Sequence, residues 1–257
     1  MKENNWFDPF YIQSHLSEEE SNIQKNVRDF CNNELKPTVV ERNRKNEFDQ
    51  DLYPKFGSLG VLGQTVKTHG GSGTSNLAYG LVAYEFEKID SSYRSSISVQ
   101  SSLVIHPINE FGSQEQKDKY LPQLIKGEKI GCFGLTESEA GSDPASMKTS
   151  FKKTKDGYIL NGSKNWITNA PIADIFIIWA IEENKDYKSI KGFIIEKNTE
   201  GLNTSTIENK TSLKISPTGQ IILNNVFIPN NLCLENTEGW KSVFSCLNKA
   251  RFGISWG

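Results

Sequence analysis

Gly131-Cys132-Phe133-Gly134-Leu135-Thr136-Glu137-Ser138-Glu139-Ala140-Gly141-Ser142-Asp143-Pro144 is where this chain changes character. Before it the apolar residues recur at helical spacing; after it they alternate or bunch as strands do. The stretch joins a short apolar strand to a loop of small residues, threonine and serine. Such a loop exposes backbone N–H groups and hydroxyls where a large ligand approaches closely. Downstream, Trp166-Ile167-Thr168 places a flat indole beside a hydroxyl. Alone, Gly134-Leu135-Thr136-Glu137 reads as an ordinary strand end. With the indole on a neighbouring strand, the two segments offer apolar packing for a planar ring and hydrogen bonds for its edge.

Working outward, the first half reads as helices. Ser17-Glu18-Glu19-Glu20 is a capping box, followed by Ile23, Val27, Phe30 and Cys31 at helical spacing. Pro37 implies a kink or a new start. A turn-rich patch from Thr68 to Gly73 precedes a helix from about Ser75 to Ile89. Asp90-Ser91-Ser92 caps another, from about Tyr93 to Phe111, ended by Gly112. Ser113-Gln114-Glu115-Gln116 opens a further one, which Leu121-Pro122 and Gly127 bring to a close.

Beyond Ile130, Tyr158-Ile159-Leu160, Asn161-Gly162 and Ser163 to Thr168 read as a hairpin, because Asn-Gly favours the primed turn. Strands are also expected over 175–180, 193–196 and 221–228. From Trp240 the helical pattern returns through Val243, Phe244, Leu247 and Ile254. The fold class is therefore α+β, with segregated helical and strand regions.

Composition excludes several functions. The 257 residues carry 29 basic and 31 acidic side chains, a net charge of −2, so no global field attracts nucleic acid or an anionic membrane. No apolar run reaches membrane-span length, and Met1 to Glu20 lacks the apolar core of a signal peptide. Cys31, Cys132, Cys233 and Cys246 lie far apart and form no C-x-x-C pair, so they read as reduced, buried thiols rather than metal ligands or a disulfide framework. His15, His69 and His106 read as structural or exposed, and no metal site is expected. Walker, dinucleotide-binding and G-x-S-x-G motifs are absent.

Taken together, the chain resembles the acyl-CoA dehydrogenase family, and within it the glutaryl-CoA dehydrogenases. The resemblance runs from Trp6-Phe7-Asp8-Pro9 to Ala250-Arg251-Phe252-Gly253-Ile254. It is most specific at Gly112 to Lys117 with Tyr120-Leu121-Pro122, at Cys132 to Pro144, and at Asn165-Trp166-Ile167-Thr168. Tyr93 to Ser102 and Cys246 to Arg251 mark the subgroup.

The resemblance implies an N-terminal all-helical domain (1–128), a barrel-like middle β domain that binds flavin (129–239), and the first helix of a C-terminal helical bundle (240–257) cut short. It implies FAD as cofactor, lined by Phe133, Gly134, Leu135, Thr136, Glu137, Gly141 and Ser142. Trp166 and Ile167 would lie against the ring, with Thr168 near its hydride-accepting edge. For the acyl-CoA substrate it implies Arg94, Ser95 and Ser98, with Glu87 orienting Arg94, then Ser142, Phe244, Leu247 and Arg251. Arg94 would bind a distal carboxylate; the plainer reading is a surface arginine paired with Glu85 or Glu87.

The implied reaction is oxidative decarboxylation of glutaryl-CoA to crotonyl-CoA. Electrons would pass to an electron-transfer flavoprotein, and the complete protein would be a homotetramer. It would lie in the cytoplasm if bacterial and in the mitochondrial matrix if eukaryotic. The family's catalytic base is a glutamate of the last helical domain, so no catalytic residue is expected within these residues and the chain alone is expected to be inactive. A different short-chain acyl-CoA dehydrogenase, a non-decarboxylating glutaryl-CoA dehydrogenase and a non-catalytic binding module remain alternatives.

Overall fold

The computed structural model describes residue 8 and residues 11–257. Most of Trp6-Phe7-Asp8-Pro9, where the resemblance begins, lies outside the described residues. Helix α1 (Glu18–Phe30) starts on the expected capping box, with Ser17 Oγ accepting from the Glu20 amide and Glu20 accepting from the Ser17 amide. A π-helical turn, Cys31–Leu35, precedes Pro37, after which α2 (Val39–Lys45) begins afresh. Next come α3 (Leu52–Ser58) and α4 (Asn76–Glu87), the latter capped by Ser75. Capped by Asp90, α5 (Ser91–Ser98) continues through a π-helical stretch, Val99–Ile105, into α6 (His106–Phe111), which ends at Gly112. Helix α7 (Gln114–Ile125) opens on the second capping box. Pro122 lies inside α7 rather than closing it. Burial of Tyr120, Leu121, Leu124 and Ile125 outweighs the one backbone hydrogen bond that proline removes.

The strands are β1 (Gly131–Gly134), β2 (Ser150–Lys153), β3 (Gly157–Thr168), β4 (Ile175–Glu182), β5 (Lys191–Glu196), β6 (Leu202–Thr206) and β7 (Thr218–Pro229). They form one curled sheet in the order β1-β4-β2-β3-β7-β6, with β5 on β4. β1 and β2 each pair parallel with a different part of β4, while the other pairings are antiparallel. Helix α8 (Trp240–Trp256) returns to the helices. The α+β architecture read from the change of period is the architecture observed.

The hairpin expected within 158–168 does not form. β3 passes straight through and pairs with β7, with register breaks at Leu160/Gly162 and Lys164/Ile167. Asn161 reaches across to Asn225, accepting its backbone N–H at 2.8 Å. Gly162 takes φ +143° against Thr149, where a Cβ would lie 2.5 Å from the hydroxyl. The Asn-Gly pair therefore makes a bulge. The reversal lies one element earlier, between β2 and β3, closed by Thr154 N–H to Gly157 O at 2.8 Å.

β4 explains why the two halves cohere. Ile175, Ile177 and Trp179 face the core that the helices share, whereas Phe176, Ile178 and Ala180 face a second core inside the curl, with Phe151 and Phe193. A strand buried on both faces reads as a continuous apolar run, and each large side chain contributes about 1.5–3 kcal/mol of burial. A polar joint adds register. The buried Gln100 side chain donates to Leu124 O at 3.0 Å and Lys129 O at 2.8 Å, and accepts from Gly131 N–H at 2.8 Å. Asn169 Nδ2 donates to Tyr53 Oη at 2.7 Å and Gly131 O at 3.0 Å. Gly131 lies so close to Val104 that a Cβ would sit 2.4 Å from it. All four cysteines are buried free thiols.

His106 joins α6 to α8, its Nε2 lying 3.0 Å from Ser245 Oγ. Burial pushes the imidazole down to about 4. The unfolded chain takes up this proton below pH ~6.5, the folded chain only near 4. Stability from the neutral ring is whole above pH ~6.5 and is lost as pH falls through that window, by about 1–3 kcal/mol. Urea unfolding at pH 7.5 and 5.0 should show this loss, and His106→Gln should flatten it. An unchanged slope in that variant would assign the acid sensitivity elsewhere.

Candidate functional site

The loop after β1 is built around one buried ion pair. Lys164 is 0% exposed and donates to Glu137 Oε1 at 2.9 Å and to Leu135 O at 3.0 Å. Glu137 also accepts from the backbone N–H groups of Lys148 (2.7 Å) and Thr149 (2.9 Å). Both ends of the 135–149 segment are thereby tied to one ion pair, Leu135 through Lys164 and Lys148 with Thr149 through Glu137. Burial lowers the Lys164 ammonium to about 8. Burial raises the Glu137 carboxyl, but Lys164 and the two amides outweigh it and hold it below the usual glutamate range. The pair is ionised at neutral pH, and the Glu137 side chain holds the loop instead of facing a ligand.

Immediately after Lys164, β3 bulges. Asn165 N–H donates to Thr136 O at 2.9 Å, and its side chain donates to Ser138 Oγ at 3.1 Å. Trp166 adopts φ +59°, a left-handed conformation that costs a bulky residue about 1–3 kcal/mol. Its ring is 59% exposed. A strained, solvent-facing indole contributes little to a core; backbone strain of this kind clusters at functional sites, and exposed Leu213 lines the same cleft. Trp166, Thr168 and Thr218 line one side of a cleft of about 420 Å³, and the 208–213 segment lines the other. Lys210 organises that segment by donating to Leu213 O and Thr218 Oγ1, each at 2.7 Å, and to Ser216 O.

The expected cofactor residues thus divide. Phe133, Leu135 and Ile167 are buried in the two cores, and Gly134 in β1 passes against Ile178. Thr136 and Thr168 are half-buried, while Gly141 and Ser142 are exposed. The sequence reading missed Lys164 and the whole 208–218 wall. A lysine between Ser163 and Asn165 is a visible signal for the first; the polar 208–214 run carries no period that would reveal the second.

Arg94 lies on α5 at 13% exposure. Its Nε donates to Glu87 Oε2 at 2.6 Å, and Glu87 Oε1 accepts from Ser91 Oγ. The pairing with Glu87 is the one anticipated, yet the guanidinium is not on the open surface. It borders a small apolar recess with Val82, Phe86, Ile97 and Ser98. The terminal nitrogens of Arg94 have no protein partner among the described residues. Ser98 is buried and accepts from Tyr79 Oη at 3.4 Å, while Ser95 is half-buried. On α8, Leu247 packs against the core, Phe244 is exposed beside Trp240, and Arg251 is exposed and bonded to Asn248. Arg251 is therefore not drawn into the Arg94 cluster by any hydrogen bond. Instead, Trp256 at the end of α8 approaches Gly80, and the following Gly257 approaches Glu87.

Two consecutive family models match the chain: "Acyl-CoA dehydrogenase, N-terminal domain" over residues 17–128 and "Acyl-CoA dehydrogenase, middle domain" over residues 132–226. The chain belongs to the acyl-CoA dehydrogenase family. It is similar to the short-chain-specific acyl-CoA dehydrogenase of Clostridium acetobutylicum, with 35% identity over 244 residues, covering 94% of this chain and 64% of that protein. Among solved structures, a glutaryl-CoA dehydrogenase from Mycobacterium smegmatis in complex with FADH2 matches with TM-score 0.93 and 41% identity, over 96% of this chain and 63% of that one. The butyryl-CoA dehydrogenase of Megasphaera elsdenii matches with TM-score 0.88 and 34% identity, over 94% of this chain and 65% of that one. The chain thus spans about 64% of the length of such a curated relative. No helix among the described residues is long and apolar enough to cross a membrane, and no metal-holding cluster occurs among them.

Proposed function

We propose that the complete protein is an FAD-dependent acyl-CoA dehydrogenase whose substrate is glutaryl-CoA. The observation that carries the flavin half is the strained, exposed Trp166 over the cleft it shares with Thr168. The fit to a flavin is good on this chain's own chemistry. An indole offers a packing surface for the ring, and the Thr136 and Thr168 hydroxyls make no hydrogen bond among the described residues. A Cβ at exposed Gly141 would meet nothing within 4 Å, which leaves room for the pyrophosphate near Ser142. FAD, when bound, supplies the two-electron acceptor for α,β-dehydrogenation of the thioester. Lys164 and Glu137 hold the loop, and Trp166 and Thr168 would hold the cofactor, the indole by packing against its ring and the hydroxyl by donating a hydrogen bond. The proton-abstracting group is assigned to none of these residues.

Arg94 carries the substrate half. Glu87 orients the guanidinium through Nε and leaves the terminal nitrogens for a carboxylate at the far end of the acyl chain. A charge-assisted pair of this kind is worth about 1.5–3 kcal/mol, or about 10–150-fold in discrimination. Similarity to the glutaryl-CoA dehydrogenase of Mycobacterium smegmatis (41% identity, against 34–35% for the short-chain and butyryl-CoA relatives) supports this reading. In the same reading the product decarboxylates to crotonyl-CoA, electrons leave to an electron-transfer flavoprotein, and the enzyme is a homotetramer. The apolar walls beside Arg94 favour the second reading, a plain short-chain acyl-CoA.

Full-length protein reconstituted with FAD should lose its oxidised-flavin absorbance on addition of glutaryl-CoA; a response to butyryl-CoA alone sinks the glutaryl-CoA assignment, and an unchanged spectrum with both sinks the dehydrogenase reading. Arg94→Ala should lower kcat/KM for glutaryl-CoA by about 10–150-fold and change that for butyryl-CoA far less. Equal losses on both substrates would remove the carboxylate role.

A further inference from the structure

A second cavity, of about 340 Å³, shares residues 208–210 and Thr218 with the Trp166 cleft. Its other walls come from the turn after α2 and from Pro171 and Ile172, so helical and sheet residues both line it. Lys45, Lys210 and Lys214 face it against a single lining carboxylate, Glu208. Glu41 pairs with Lys45 at 2.7 Å, whereas Lys210 and Lys214 have no acidic partner among the described residues. The Lys210 ammonium is committed to Leu213, Ser216 and Thr218, and its charge remains uncompensated. Ser216 is 2% exposed, lines the cavity, and its hydroxyl has no partner. A buried hydroxyl left unpaired costs about 1–3 kcal/mol, which a bound acceptor would recover.

We infer that this cavity binds a phosphate monoester. Its oxyanion is held by Lys45, Lys214 and the Ser216 hydroxyl, and its organic group lies against Phe48 and Ile172. A neutral ligand would leave the excess positive charge uncompensated; phosphate offers several acceptor oxygens to the converging donors. Occupancy would bridge the two halves of the molecule and stiffen the wall shared with the Trp166 cleft. This inference does not depend on the flavin or substrate assignment.

The test is a calorimetric titration of the purified chain with phenyl phosphate, ionic strength held constant with chloride. Inorganic phosphate is the second ligand. Lys214→Gln should weaken phenyl phosphate binding about tenfold or more and Ser216→Ala about fivefold. Lys185→Gln, on a lysine paired with Glu182 outside the cavity, should change nothing. Ser216→Ala removes a buried hydroxyl with no protein partner, so its melting temperature should be at or above the parent's while binding weakens. No saturable binding, or equal affinity across all variants, overturns the proposal. Equal affinity for inorganic phosphate overturns the monoester assignment in favour of the free anion.

Discussion

Lys164→Met should destabilise the protein by about 3–5 kcal/mol, the cost of leaving one member of a buried ion pair alone. The Glu137 carboxylate is 9% exposed, and it would lose the cation while keeping only two backbone donors. The Leu135 carbonyl would lose its donor at the same time. Urea unfolding measures the loss. The double variant Lys164→Met with Glu137→Gln should recover part of it, because the remaining side chain is neutral; the coupling in that cycle isolates the pair. Since the bulge at Asn165 and Trp166 begins next to Lys164, the single variant should also change the tryptophan emission, to which the exposed Trp166 contributes. A loss below about 1 kcal/mol would mean that water or a rearranged loop solvates Glu137.

Gln100→Leu should cost about 2–4 kcal/mol. The substitution keeps the volume but strands the buried Gly131 N–H and the part-buried Lys129 carbonyl, while the Leu124 carbonyl keeps the Gly127 N–H at 3.2 Å. Unpaired buried polar groups cost about 1–3 kcal/mol each, and two neighbours do not add fully. Gln100→Glu, which keeps an acceptor for Gly131 but loses both donations, should also destabilise. Amide hydrogen exchange localises the effect: Gly131 should lose protection more than the centre of β4. Uniform loss across the sheet would show that the joint does not act locally. Gln100 lies in the π-helical stretch that continues α5, the helix of Arg94, so this contact ties that helix to the strand that feeds the loop.

Much of this arrangement was legible in the residues. Ser17 with Glu20 and Ser113 with Gln116 announce two helix starts, and both capping boxes are present. The apolar run from Ile175 onward is a strand buried on two faces. What escaped had physical reasons. β6 is a largely exposed polar edge strand, and β2 has only four residues, too few to establish a period. Asn161-Gly162 has the composition of a turn, yet cross-sheet bonding to Asn225 makes it a bulge. The 208–218 wall has no hydrophobic period because it folds around the ammonium of Lys210, with Ile215 its one side chain in the main hydrophobic core. The resemblance places Glu137 in the cofactor loop, and its carboxylate is bonded by Lys164 and two backbone amides. Such long-range polar partners have no signature in local sequence.

The four sequestered thiols have a consequence for chemistry on this molecule. Burial pushes Cys31 and Cys246 up to about 12, and it raises Cys132 and Cys233 as well. An alkylating reagent at neutral pH therefore meets almost no thiolate on the intact fold. Each sulfur becomes reactive only when its own neighbourhood opens, so the native cysteines form a built-in clock with one hand in α1's continuation, one in β1, one at the end of β7's connection and one in α8.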